Sequence, residues 1–439
     1  MRTNRLASLL GVAMIVSACS ISGSARTQDS TSPEARPSAA PAAAVPVGPA
    51  AASDAMLVVG RQGGDGFEVI ISGTREQVAT LPVGVPDARW GSVLTTTRSG
   101  AGTIVRDAGL MADQSDAITI DGAWRLPTFA SDPLPIGVSA GRSTIVLVED
   151  GVKAGAKTTR FAVLGSPFAK APRIVEIPGA FTYDAVSPDG STIYVIEHLA
   201  APPEGHYQVR AVDVASGVLK DGVIVDKTNV GEAMAGWPVA QLRREDGLVL
   251  TLYRGAEHPF IHALDTVHGF AVCIDLPATP GGSTDAALDW GLAASPDGGT
   301  VYAANASLGL VVDVDPAQLV VRRTAQVNAA RSSAIVLAKL GGSESGPVAQ
   351  RVIVAPDGGT LYAAGSGGIL AIGLPAMAGL GRFLEGQRVD AIGATRDGRT
   401  LFALLHAGGR IVQLDSRTGA VVGSVPGGGY DRLLAVGQG

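Results

Sequence analysis

Six histidines, two cysteines and a row of aspartates at regular points are the residues in this 439-residue chain whose types could carry chemistry. Neutral imidazole ligates zinc or copper and titrates near neutral pH, so the histidines come first. His198 and His406 each follow by four residues an aromatic, Tyr194 and Phe402, that stands at the same point of a repeated phrase, which places both at the end of a second strand. His206 follows the insert Ala200–Gly205, and His258, His262 and His268 cluster between Glu257 and Phe270. We take His198, His206, His258 and His406 as candidates for a ligand-binding face. The spacing His-x3-His-x5-His matches no helical metal site, and His198 and His406 lie two or more repeats apart, so neither a metal nor another cofactor is expected. Asp213, Asp313, Asp315 and Asp415 fall at the ends of third strands, where a carboxylate accepting from the next backbone amides accounts for them without catalysis. Cys273 stands between Val272 and Ile274 and reads as a small buried hydrophobe. No Gly-x-Ser-x-Gly elbow occurs, and the glycine-rich turns lead into strands rather than into a helix N-terminus that would cradle phosphate.

The elements that must position these residues are written in the repeat itself. Ser-Pro-Asp-Gly, followed after one or two residues by Thr, an apolar residue and Tyr, runs from Ser187 to Tyr194 and again from Ser295 to Tyr302. It returns from Ala355 to Tyr362 with Ala for Ser, and from Thr395 to Phe402 with Arg for Pro. Recurrence on this scale marks a solenoid or a propeller. Within Ala391–Val425 the alternation spells four short strands: Ile392–Thr395, Thr400–Leu405, Arg410–Leu414 and Ala420–Val425, divided by turns rich in Asp and Gly. Four such strands make one propeller blade. Further copies cover Trp90–Phe129, Ile136–Pro178, Tyr183–Val225, Val239–Leu276, Leu292–Val327 and Arg351–Phe383, which makes seven complete blades. Leu57–Val83 supplies three strands lacking a first, and Arg432–Val436 a first strand lacking the rest, so pairing of the two ends closes an all-β, four-stranded antiparallel β-propeller of eight blades, with seven as the alternative if the first copies merge. Trp90, Trp237 and Trp290 stand at strand starts and read as wedges between blades.

Ser295–Asn305, followed by Leu310–Asp315, resembles the YVTN family of β-propeller repeats found in bacterial and archaeal surface and periplasmic proteins. Tyr-x-x-Asn itself is complete at Tyr302–Asn305, and the likeness extends more faintly over residues 57–437. TolB-like propellers share the Ser-Pro-Asp-Gly turn, whereas no copy carries the strand-end Trp-Asp of another propeller class. The resemblance implies a domain outside the cytoplasm, and related propellers include lactonases and quinoprotein or amine dehydrogenase subunits.

Arg2 and Arg5, the apolar stretch Leu6–Val16 and the small residues before Cys19 make residues 1–18 an export signal. Val16–Cys19 resembles the bacterial lipobox, which implies cleavage before Cys19, diacylation of its sulfur and a stable membrane anchor. Residues 19–54, with Ala39–Ala52 almost wholly Ala, Pro and Val, form a tether of roughly 30 to 35 Å root-mean-square reach, leaving 55–439 as the propeller. With Cys19 lipidated, Cys273 has no partner for an intrachain disulfide. A net charge of -6 without a basic run excludes a nucleic-acid partner, and beyond the N-terminus no apolar run reaches the ~20 residues of a spanning helix. The expectation is a monomeric, membrane-anchored extracytoplasmic lipoprotein whose propeller binds or scaffolds a protein or an envelope polymer. A lactonase-like or dehydrogenase-like enzyme, and an accessory subunit of a membrane or wall complex, remain the alternatives.

Overall fold

The computed structural model describes residues 54–437 apart from 62, 65, 88–89, 110–114, 130–133, 152–156, 169, 200–205, 225–233, 255–257, 279–288 and 328–349. The signal segment, Cys19, residues 20–53 of the tether and the insert Ala200–Gly205 lie outside the described residues.

The short alternating segments build eight sheets in sequence, each an antiparallel blade. Blade 1 holds β1 (Met56–Arg61), β2 (Gly66–Ile71) and β3 (Gln77–Pro82), and blade 2 holds β4 (Val85–Pro86), β5 (Ser92–Ser99), β6 (Gly102–Gly109) and β7 (Ser115–Asp121). Blade 3 comprises β8 (Trp124–Arg125), β9 (Thr144–Glu149), β10 (Thr158–Gly165) and β11 (Arg173–Pro178). In blade 4, β12 (Phe181–Val186), β13 (Thr192–His198) and β14 (His206–Asp213) are followed by a fourth position split between β15 (Val218–Leu219) and β16 (Met234–Ala235), which both pair with β14. Blade 5 runs through β17 (Trp237–Arg243), β18 (Leu248–Arg254), β19 (Pro259–Asp265) and β20 (Phe270–Asp275). Blade 6 has β21 (Trp290–Ala294), β22 (Val301–Asn305), β23 (Leu310–Asp315) and β24 (Val320–Gln326), and blade 7 has β25 (Val352–Val354), β26 (Thr360–Gly365), β27 (Gly368–Gly373) and β28 (Ala378–Phe383). Blade 8 contains β29 (Val389–Ala394), β30 (Thr400–Leu405), β31 (Arg410–Asp415) and β32 (Val421–Ser424). The last strand, β33 (Tyr430–Val436), then pairs with β1, from Leu57 opposite Val436 to Arg61 opposite Tyr430. The fold is an eight-bladed propeller closed by its two ends, and the seven-blade alternative falls.

Two blade starts differ from the sequence reading by more than two residues. The second blade begins at Val85 rather than Trp90, and the third begins at Trp124 rather than Ile136. Trp124 is 4% exposed and its amide is held by the Thr103 hydroxyl, so a two-residue strand with no Pro-Asp-Gly turn starts the blade.

Period-two alternation sends the side chains of each blade to two faces. Eight apolar clusters result, one for each pair of adjacent blades, so the core is a ring of interfaces. The repeated turn is explained by its bonds. The Ser187 hydroxyl donates to Asp189 (2.6 Å) and accepts from the Thr192 amide (3.0 Å), while Asp189 accepts from the Ser191 amide (3.0 Å). Gly190 has φ 71°, a left-handed value that glycine accepts without a Cβ clash. Ser295 and Thr395 make the same bonds, and Tyr194 and Tyr362 donate to carbonyls of the following blade, Thr266 and Ser416, at 3.0 Å each. Among the described residues no helix is long and apolar enough to cross a membrane.

Candidate functional site

First strands face the propeller axis, and there the chain leaves a cavity of about 620 Å³. Gln241 and Leu242 of β17, Leu292 of β21, Ile353 of β25, Ala394 of β29 and Leu434 of β33 contribute to its wall. Trp90 and Pro356, both from first-to-second-strand connections, mark the end of the cavity at the rim that carries the Ser-Pro-Asp-Gly turns, while Gln350 and Arg351, ahead of β25, mark its other end. Phe129 and Leu134 reach it from the segment between β8 and β9.

Arg351 is the charged member of this lining. Its Nη1 donates to Asp289 at 3.3 Å, and both side chains are nearly buried, at 12% and 8% exposed. Asp289 also accepts from the Ser307 hydroxyl and from the Ser366 amide at 2.9 Å, which ties blades 6 and 7 together beside the cavity. The arrangement offers walls of mixed polarity, with apolar side chains beside two amide side chains, Gln241 and exposed Gln350, and one guanidinium. That combination suits a ligand with an apolar body and an acceptor group.

A second polar cluster lies between blades 4 and 5, behind Gln241. Asp184 of β12 is 5% exposed, and burial pushes its carboxyl up to about 6 against the opposing pull of Arg243 and the bond from Gln241. Arg243 donates to the Asp184 carbonyl at 2.6 Å. Burial likewise raises the phenols of Tyr183, Tyr207 and Tyr253, and the rings of Tyr207 and Tyr253 stack at 5.0 Å.

The four candidate histidines share the rim of second-to-third-strand connections, opposite the rim to which Trp90 and Pro356 belong. They do not meet. His198 and His406 belong to blades 4 and 8, which face each other across the ring. His198 bonds Thr182 at 3.0 Å, and desolvation of its ring lowers its pKa. His206 is exposed and pairs with Ala235 of β16. His258 lies 3.7 Å from Asp275, and His406 lies 2.8 Å from Asp390. None of them lines the cavity.

Asp213, Asp315 and Asp415 cap their turns as expected, for example Asp415 accepting from the Arg417 and Thr418 amides. Asp313 departs from that reading. It lies inside β23, 3% exposed, and accepts from Arg323 at 2.8 Å, because two residues of the strand follow it before the turn. Trp290 is buried between blades, whereas Trp237 is 40% exposed and Trp90 lies after β4, at the cavity wall. Cys273 is only partly buried, with its thiol 3.9 Å from the Met234 sulfur. The cavity and the Asp184 cluster escaped the sequence reading, because each is assembled from strands distant in the chain.

No family model matches the chain, and no curated protein does. Among solved structures, apo AztD from Citrobacter koseri is 13% identical, with 88% of this chain and 98% of that one covered and a TM-score of 0.49. A protein of unknown function from Desulfotomaculum acetoxidans is 12% identical over 87% and 98%, at a TM-score of 0.40. Dihydro-heme d1 dehydrogenase NirN in complex with DHE is 15% identical over 89% and 78%, at a TM-score of 0.46. At these values the likeness carries nothing about ligand or chemistry.

Proposed function

We propose that the protein is a lipid-anchored extracytoplasmic binding module, held by Cys19 and its tether, whose propeller takes an envelope molecule into the axial cavity. The observation that supports this most directly is the lining itself: a cavity of about 620 Å³ whose wall is about as polar as it is apolar, with Arg351 set into it and braced by Asp289. A preformed site of this size suits a small molecule with an apolar body and an anionic or carbonyl group. The guanidinium of Arg351 and the amide of Gln350 would meet that group, and Leu292, Ile353 and Leu434 the rest. The Arg-Asp pair positions and neutralises; no proton transfer is assigned to it.

Mass spectrometry of the protein extracted from its own membranes tests both halves. The N-terminal peptide is expected to carry a diacylated Cys19, and the native protein a co-purifying small molecule whose occupancy falls at least tenfold in Arg351→Met. An unmodified N-terminus would remove the anchor. Equal occupancy in Arg351→Met would move the ligand out of the cavity.

A further inference from the structure

We propose that Met234, His262 and Cys273 form a binding site for a soft monovalent metal ion, Cu(I), at the outer part of the interface between blades 4 and 5. The three residues come from three strands, and register brings them together. His262 of β19 lies directly opposite Cys273 of β20, so their side chains stand side by side on one face of blade 5. Met234 belongs to β16, where it pairs with Tyr207 of β14, and its thioether enters the same face from blade 4. The His262 Nδ1 lies 3.0 Å from the Met234 sulfur, and the Cys273 thiol sulfur lies 3.9 Å from it.

These separations suit donors around a single ion. A metal about 2.0 Å from nitrogen and about 2.3 Å from sulfur leaves its trigonal donors roughly 3.7 to 4.0 Å apart. The sulfur pair already has that spacing, and the imidazole has to withdraw by less than ~1 Å. The support around the donors is rigid. Tyr207 stacks on Tyr253 at 5.0 Å, Tyr253 stacks on Phe260 at 5.2 Å, and the Tyr253 ring meets the His262 ring edge-on at 6.4 Å. His262 is 2% exposed, whereas Met234 and Cys273 are partly accessible, which leaves the sulfur side for entry.

Donor chemistry selects the metal. A thioether is a poor ligand for Zn(II) and a good one for Cu(I), and a set of one thiolate, one thioether and one imidazole matches the softer ion. On binding, the Cys273 S–H bond gives way to a Cys273 S–Cu bond and the proton passes to solvent, with no change of oxidation state. His262 contributes Nδ1 as a neutral imidazole, its ring proton then residing on Nε2.

The full chain carrying Cys19→Ser, so that Cys273 is the remaining thiol of two, provides the test. It is titrated anaerobically with Cu(I) against bicinchoninate as a competing chelator, and in parallel with Zn(II). One Cu(I) per chain is expected, with affinity reduced at least tenfold in Met234→Leu and at least a hundredfold in Cys273→Ser, both variants melting as the parent does. Absence of Cu(I) binding by the folded parent would overturn the proposal. So would an unchanged affinity in Met234→Leu, or tighter binding of Zn(II) than of Cu(I).

Discussion

Asp184 is a carboxyl whose ionisation works against the fold. Its pKa rises from 3.8 to about 6 on folding because burial outweighs the pull of Arg243. Between pH ~4 and ~6 the native protein therefore holds a proton that the unfolded chain has released, and stability falls as pH rises through that window. Above it the cost is complete, on the order of 3 kcal/mol at 1.36 kcal/mol per pKa unit. Asp184→Asn should gain clearly more over the parent at pH 7.5 than at pH 4.5, as read by urea denaturation at the two values. A variant equally stable relative to the parent at both would show that the carboxyl ionises freely. Nothing in the segment Tyr183–Val186 marks this residue in the sequence, since the burial depends on Arg243, 59 residues later in the next blade. In the sequence His262 stood outside the four candidate histidines and Cys273 read as a small hydrophobe, while Met234 gave no signal at all, because it sits in a two-residue strand with no alternation to read. Arg351 was equally silent: a lone arginine ahead of a short apolar strand looks like any surface charge until the ring is closed around it.

The turn between first and second strands is the element that the sequence spells most fully, and the reason is that all its bonds are local. Ser, Asp, Gly and Thr hold one another within six residues, so composition and geometry say the same thing. Hydrogen bonding by the Ser187, Ser295 and Thr395 hydroxyls also holds Asp189, Asp297 and Asp397 below the usual carboxylate range. Ser187→Ala leaves the buried Thr192 amide without its acceptor and should cost about 1 to 2 kcal/mol in chemical denaturation. Ala355 offers the reverse experiment, being the copy that lacks the hydroxyl while keeping the Asp357 bond to the Gly359 amide. Ala355→Ser should gain about 1 kcal/mol, provided that the hydroxyl fits at a residue 5% exposed; a loss would mean that the methyl is packed too closely to be replaced. Blades 2 and 3 were placed several residues off because their first strands, Val85–Pro86 and Trp124–Arg125, are two residues long and lack this turn. Short strands held by distant partners leave no periodic signal.

At the scale of the whole ring, stability rests on the pairing of β33 with β1, which converts two exposed edges into one blade. Arg61 stacks over Tyr430 at 4.5 Å, bonds the Gly428 carbonyl at 3.0 Å and pairs with Glu68 at 2.9 Å, while Arg432 covers Phe67 at 5.2 Å. A chain ending at Gly429 should lose the single cooperative melt of the parent and appear as oligomers in size-exclusion chromatography, through the bared edge of β1. A sharp melt and a monomeric profile would show that seven whole blades and a partial one suffice. The partners in this closing pair stand some 370 residues apart. Ribosomes make chains from the N-terminus, so β1 is made some 370 residues before its mate. Until then the molecule carries an adhesive edge with nothing to satisfy it, whichever side of a membrane it waits on. A product that stops short of β33 can never hide that edge, so the closing strand separates a sealed ring from an open one by a single feature, the unpaired backbone of β1.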